Sequence, residues 1–280
     1  MTQQRQLKVE AVTVESLGGL NVLLYGPPGH GKTMFATSGY DHPVIGGVLV
    51  VDIDGGLKSV VHRPNLKRVR CESSLDVNAV FEMLLRNDPA LDDVNTVVID
   101  SVSAWMEKEK QFISAREAQI NNKRLGQIDT VWLSDYKEMT AKLKRLIDNF
   151  RSSGKTVVLT ATERDYGPTE DNPNQPVTRR AEMTPGLYNA VAPMVDMIWR
   201  VGQQNSEVTL LTQEYVFPSG GRISAKTRNE RFAVKLLEMG GKEDDGRPNG
   251  IVKIGHVGQP RENFPTFGTF YDWYIESIKG

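Results

Sequence analysis

Eight residues constrain this chain more than any others. Gly26-Pro27-Pro28-Gly29-His30-Gly31-Lys32-Thr33 matches the spacing GxxxxGK[ST], in which a glycine-rich turn lets successive backbone N–H groups converge on a phosphate. The motif demands a strand before it and a helix after it, and both are legible. Leu20 to Tyr25 is a short apolar run suited to a buried strand, and Lys32 to Tyr40 opens a helix whose N-terminus adds partial positive charge. In such a loop the Lys32 ammonium bridges the β- and γ-phosphates of a nucleoside triphosphate. The Thr33 hydroxyl holds its magnesium.

The rest of the chain extends that pattern. Gly47 to Asp52, Val94 to Asp100 and Thr156 to Thr160 are continuous apolar runs of the kind found in strands covered on both faces. Helical stretches lie between them, near Leu75 to Arg86, Val102 to Ala118 and Ser134 to Phe150. Strands alternating with helices predict βαβ units around a mostly parallel central sheet. Leu7 to Val14 alternates partly and predicts an edge strand. Asp165 to Pro185, with Pro168, Pro173, Pro176 and Pro185, reads as a long loop. Met194 to Val201 and Val208 to Phe217 read as strands or a hairpin, Gly240 to Gly250 as a charged linker, and Thr269 to Ile275 as an amphipathic helix. The expected organisation is an N-terminal edge strand or oligomerisation segment (1–18), an ATPase core (19–232), and a linker with a C-terminal extension (233–280).

Composition narrows the function classes. A net charge of −1 gives no global attraction to nucleic acid, so any such binding must come from local patches. The single cysteine, Cys71, excludes an internal disulfide framework and fits a reducing compartment. It reads as a packed cysteine rather than a catalytic thiol. His30, His42, His62 and His256 lack zinc-ligand spacing. No apolar signal core opens the chain and no apolar run is long enough to span a bilayer, so the expectation is a cytoplasmic protein without a membrane partner.

Carboxylates at strand ends supply the next candidates. Asp100 closes an apolar strand, where a carboxylate can hold a magnesium-bound water beside the phosphate loop; a surface turn aspartate is the alternative. Asp52 and Asp54 follow the preceding strand, and Asp54 would sit above the carboxyl edge of the sheet, where ligands of open α/β sheets bind. It could orient an attacking water or simply begin a turn with Gly55-Gly56. Lys226 and Arg228 are two cations two residues apart after an expected strand, and so point the same way. They suit a shared polyphosphate, or a solvated strand face.

Together the phosphate loop, the strand followed by Asp52 and Asp54, Val97-Val98-Ile99-Asp100-Ser101 and the strand ending Thr162-Glu163-Arg164 resemble the RecA-type recombinase core. Length and the Pro-Pro-Gly loop look most like the compact RecA-like P-loop ATPases of bacteriophages, some of which act as single-strand annealing proteins. The resemblance covers residues 20 to 228 and implies an α/β RecA-like P-loop NTPase with an antiparallel C-terminal hairpin. It implies ATP and Mg2+ bound at Gly26 to Thr33, with Asp100 reaching the ion through water. It also implies a homo-oligomeric ring or filament with ATP at the subunit interface, where Lys226 and Arg228 reach the neighbour's ATP. Asp54 stands where RecA-type proteins have a catalytic glutamate, and Thr162 where they have a γ-phosphate-sensing glutamine. Single-stranded DNA would meet two loops, one near Lys123 and Arg124 and one containing Arg179 and Arg180. A third basic run is His62 to Arg70; short basic runs also mark ordinary solvated surface.

The expected function is a DNA-stimulated ATPase acting on single-stranded DNA in phage recombination or annealing in the host cytoplasm, with a single-strand binding protein among its partners. Two alternatives use the same loop: a small-molecule kinase with residues 165–185 as its lid, and a nucleotide-switched loader or scaffold without efficient hydrolysis.

Overall fold

The computed structural model describes residues 19–120, 133–167, 178–204, 207–212, 241–242, 248–251 and 266–279. The strands are β1 (Asn21–Gly26), β2 (Val48–Asp52), β3 (Leu66–Arg70), β4 (Thr96–Asp100), β5 (Thr156–Tyr166), β6 (Thr178–Ala181), β7 (Met197–Gln204), β8 (Glu207–Thr212), β9 (Gly241–Lys242) and β10 (Pro248–Ile251). The helices are α1 (Lys32–Ala36), α2 (Ser74–Leu85), α3 (Val102–Ile120), α4 (Leu133–Arg151), α5 (Pro185–Val191) and α6 (Phe267–Lys279). One sheet orders the strands β3-β2-β4-β5-β1-β7-β8-β10-β9, with β6 pairing β5 off this path. From β3 to β7 every pairing is parallel. Among the described residues no helix is long and apolar enough to cross a membrane.

Side-chain alternation along the parallel strands builds two cores. Leu23 and Tyr25 of β1, Leu49 and Val51 of β2, and Val97 and Ile99 of β4 face a layer made by α2 to α5. Val22, Leu24, Val48, Val50 and Val98 face the other side, where they meet Phe35 of α1 and Phe267 and Phe270 of α6. Strands buried on both faces disfavour a polar alternate, which is why these runs are mostly apolar, with polar residues chiefly at the strand ends. The helix boundaries have local causes. Ser73 and Asp76 form a reciprocal capping box at the start of α2, and Thr184 caps α5 ahead of Pro185.

Three expectations are corrected. The basic run His62 to Arg70 is not a free cationic patch, because Leu66–Arg70 is the edge strand β3 and its cations are used internally. Arg68 and Arg70 reach Asp52, and Lys67 meets Asp93 and the Ala90 carbonyl. Arg63 donates to the Met34 carbonyl and to Thr37 Oγ1, both at 2.6 Å, closing the C-terminal end of α1.

Asp165 to Pro185 is not one loop. β5 continues to Tyr166 and β6 pairs antiparallel with it, setting Arg164 opposite Arg180 and Asp165 opposite Arg179. The Asp165–Arg179 pair favours that register, and the two like charges of Arg164 and Arg180 are spread over the Tyr166 ring between them. The segment 240–250 likewise contains β9 and β10, which extend the antiparallel edge beyond β8; backbone pairing is indifferent to a charged, glycine-containing sequence. The amphipathic helix expected near Thr269 to Ile275 forms as α6 and packs on the core. The Phe267 ring sits edge-on to Phe35 at 5.9 Å and Phe270 edge-on to Trp199 at 5.3 Å, while the Phe267 N–H donates to Ser38 Oγ at 2.7 Å. Residues 1–18 lie outside the described residues, so the expected N-terminal edge strand does too.

Candidate functional site

β1 ends at Gly26 because β7 leaves no space for a side chain there: a Cβ would lie 2.2 Å from the Val201 carbonyl oxygen. The loop then turns through Gly29 and Gly31, whose φ values of 75° and 85° lie in the left-handed region that only glycine enters freely. Nothing lies within 4 Å of where a Cβ of Gly29 would be, so that glycine answers to backbone conformation and not to crowding. Gly31 caps α1, and the turn is closed by the His30 N–H on the Pro27 carbonyl and by His30 Nδ1 at 3.0 Å from the Pro28 carbonyl. α1 is only five residues long. A helix that short is unstable alone, and its buried residues Phe35 and Ala36 hold it against the second core.

Lys32 Nζ donates to the carbonyls of Gly26 and Pro27, each at 2.9 Å, so the ammonium sits over the mouth of the loop. Burial lowers its pKa, and the carboxylates of Asp100, Asp54 and Glu163 act in the opposite sense. Thr33 Oγ1 donates to Asp100 Oδ2 at 2.8 Å, which brings the end of β4 against the start of α1. Thr160 of β5 donates to Asp100 Oδ1 at 2.5 Å. Burial pushes the Asp100 carboxyl above the usual range. The Thr160 and Thr33 hydroxyls act against that rise, and Asp54 and Asp52 add to it. A carboxylate oxygen and a hydroxyl oxygen converging beside an ammonium form a hard-oxygen site of the type magnesium takes, and a cation there would offset the burial of Asp100.

Asp54 is exposed at the same edge, and its N–H donates to the Asp100 carbonyl at 3.1 Å, just after Ile53 does so at 2.8 Å. These bonds fold the loop after β2 over the end of β4. Thr162, the register partner of Gly26, is tied to the residue after β6 and to α3: its hydroxyl donates to Glu182 at 2.5 Å and its N–H to Ser103 Oγ at 3.0 Å. Cys71 is buried and its thiol is pushed up to about 11, largely by burial, so it stays protonated and serves packing.

Of the residues assigned to DNA, Arg179 and Arg180 are described and differ from each other. Arg179 is half exposed and pairs with Asp165 at 3.0 Å. Arg180 lays its guanidinium over the Tyr166 ring at 3.9 Å and near the Tyr188 ring at 5.2 Å. Lys123, Arg124, Lys226 and Arg228 lie outside the described residues. Sequence reasoning missed Thr160 and the Glu163–Arg200 pair. A threonine repeating inside an otherwise aliphatic run, and an arginine directly after Met197-Ile198-Trp199, were the available signals.

The family model of the AAA domain matches residues 19–232, three quarters of the chain and the whole of the site just described. No curated protein matches the chain.

Proposed function

This chain belongs to the AAA domain family, and on that premise we propose that it is a magnesium-dependent ATPase that couples nucleotide turnover to a grip on single-stranded DNA. The observation that carries the nucleotide part is the meeting of Lys32, Thr33 and Asp100 at one sheet edge, with Thr33 and Asp100 joined at 2.8 Å. Backbone amides from Gly29 to Thr33 would cradle the phosphates and Lys32 would lie between the β- and γ-phosphates. Thr33 and Asp100 would hold magnesium, Asp100 through water; the ion neutralises charge on the polyphosphate. Asp54 is the acid/base candidate for orienting water, since its backbone is tied to Asp100 and its side chain is open to solvent. Lys226 and Arg228 act in trans, in a ring or filament with ATP between subunits.

The DNA part is supported by the β5–β6 ladder on the strand next to β1, which carries Arg164 and Arg180 over Tyr166 and the half-exposed Arg179 beside them, paired with Asp165. Cations interleaved with an aromatic ring suit a backbone-led, sequence-tolerant grip on single strands. Annealing or recombination of phage DNA in the host cytoplasm is the role that fits this pairing of activities. The test is the ATPase rate with and without single-stranded DNA, in wild type and Lys32→Ala. A stimulated rate that Lys32→Ala abolishes supports the reading. Turnover indifferent to DNA would remove the DNA part and favour a loader or scaffold, and phosphoryl transfer to a small acceptor would favour a kinase.

A further inference from the structure

Two charged side chains flank the end of β1 that the phosphate-loop motif does not include. Register sets Gly26 beside Thr162 of β5 and Tyr25 beside Arg200 of β7. Ala161, Tyr25 and Ile198 share one core face, so by alternation Glu163 and Arg200 continue that face, one on either side of the strand that feeds the loop. Arg200 clasps Glu163 with two bonds, Nε to Oε2 at 2.5 Å and Nη2 to Oε1 at 3.0 Å. Both side chains are largely withdrawn from water, at 20% and 10% exposure. The Glu163 carboxylate also favours the charged form of Lys32. Glu163 therefore holds Arg200 directly and lies within electrostatic reach of Lys32, with register placing Arg200 beside Tyr25, one residue before the loop.

We propose that Arg200 is a same-subunit cation for the terminal phosphate, held in reserve by Glu163, and that this pair discriminates a nucleoside triphosphate from a diphosphate. The proposal rests on reading Gly26 to Thr33 as a nucleotide loop. A guanidinium fork fits a carboxylate and a phosphate equally well, so Arg200 can exchange a carboxylate bond for a phosphate bond without losing a donor's partner. Only a γ-phosphate offers that exchange next to Lys32, which gives the two nucleotides different affinities for the two arrangements of the pair. The carboxylate is not stranded when Arg200 turns, because Arg179 Nε of β6 is already 4.0 Å from Glu163 Oε1. A bare structural tie between β5 and β7 would hold ATP and ADP alike.

Equilibrium binding of fluorescent ATP and ADP analogues to the full chain, in magnesium, separates the two roles. Four proteins are compared with wild type: Lys32→Ala, Arg200→Gln, Glu163→Gln, and Glu163→Gln combined with Arg200→Gln. The double variant replaces a buried ion pair by neutral amides and leaves no unpaired buried charge, so it remains informative even if Arg200→Gln fails to fold. Lys32→Ala should lose both nucleotides. Arg200→Gln and the double variant should lose about tenfold or more in ATP affinity, the size of a charged hydrogen bond, with ADP affinity held. Glu163→Gln, which removes a competitor for Arg200, should bind ATP at least as tightly as wild type. Equal losses for ATP and ADP, or a double variant that keeps the wild-type preference, would overturn the role of Arg200 while leaving the loop's assignment standing. A folded wild type that binds neither nucleotide would overturn both.

Discussion

Asp52 and Asp100 end neighbouring parallel strands as register partners, after the similar runs Val48–Asp52 and Thr96–Asp100. Both are buried, at 0% and 4% exposure. Their surroundings differ. Asp52 meets two guanidinium groups of β3, Arg68 at 2.6 Å and Arg70 at 3.5 Å, and accepts the Gly55 N–H at 2.6 Å. Among the described residues the Asp100 side chain receives the hydroxyls of Thr33 and Thr160 alone, and burial raises its carboxyl. One strand-end carboxylate is a fastener between β2 and β3; the other forms no direct ion pair among the described residues and has only the electrostatic influence of Lys32 against it. Similar sequence patterns at one sheet edge thus diverge in role according to what the adjacent strand contributes, and the under-neutralised member is the one placed to take a cation.

The sharpest way to break this comparison is to neutralise each carboxylate in turn and measure magnesium-dependent turnover. Asp100→Asn should lower the rate roughly a hundredfold or more, since ion-mediated charge stabilisation is worth several kcal/mol. Asp52→Asn should turn over close to wild type once corrected for folded fraction. Equal loss in both variants would remove the distinction.

Stability should divide in the opposite direction. Asp52→Asn should cost about 1–3 kcal/mol in urea unfolding. The cost falls short of a fully buried pair because Arg68 and Arg70 are half exposed and can be rehydrated. Asp100→Asn should be neutral or stabilising. The pH dependence follows from the raised Asp100 carboxyl. Below the ordinary carboxylate range the group is protonated in folded and unfolded chains alike, and the aspartate carries no penalty. As pH rises through the ordinary value toward the raised folded one, the unfolded chain ionises first and folding loses stability. The advantage of Asp100→Asn over wild type should therefore widen with pH; a variant less stable than wild type across the whole range contradicts this.

Thr160→Val sharpens the contrast from within the Asp100 shell. It removes the 2.5 Å donor, should cost about 1 kcal/mol, and should raise the magnesium concentration needed for half-maximal turnover. Unchanged magnesium dependence would assign Thr160 to packing alone. The smallest effect is expected at Arg70→Gln, about 0.5 kcal/mol or less in the same unfolding assay, because this partner is exposed and Arg68 remains with Asp52. A loss as large as that of Asp52→Asn would show that Arg70, and not Arg68, carries the fastener.

The parallel core was readable because local chemistry and global burial agree there. Leu20 to Tyr25, Gly47 to Asp52, Val94 to Asp100 and Thr156 to Thr160 are apolar without alternation, and all four became inner strands. The three helices expected between the strand runs formed within two residues at each boundary, whereas the one opening at Lys32 stops at Ala36 instead of Tyr40 and the C-terminal one runs on from Ile275 to Lys279. Failures fell where polar side chains find partners far along the chain. Leu66–Arg70 looked like a basic surface run because Asp52, Asp93 and the Ala90 carbonyl are invisible to a local window. Thr178–Ala181 looked like loop because its pairing depends on contacts across a ladder to β5, among them Asp165 with Arg179 and Tyr166 with Arg180.

The sequence by itself determined the phosphate loop, the strand-and-helix alternation and the carboxylates available at strand ends, since each depends on residue types at short fixed spacings. Tertiary structure alone decided which carboxylate is neutralised, and that β5 lies between β1 and β4 so that Thr160 reaches Asp100. It also decided that Glu163 and Arg200 close over the end of β1, and that α6 completes the footing of the five-residue α1. The reason is physical. Spacing along a strand sets which face a side chain takes, whereas its charge state and its partner are set by strand order and burial, and these arise only when distant segments pack.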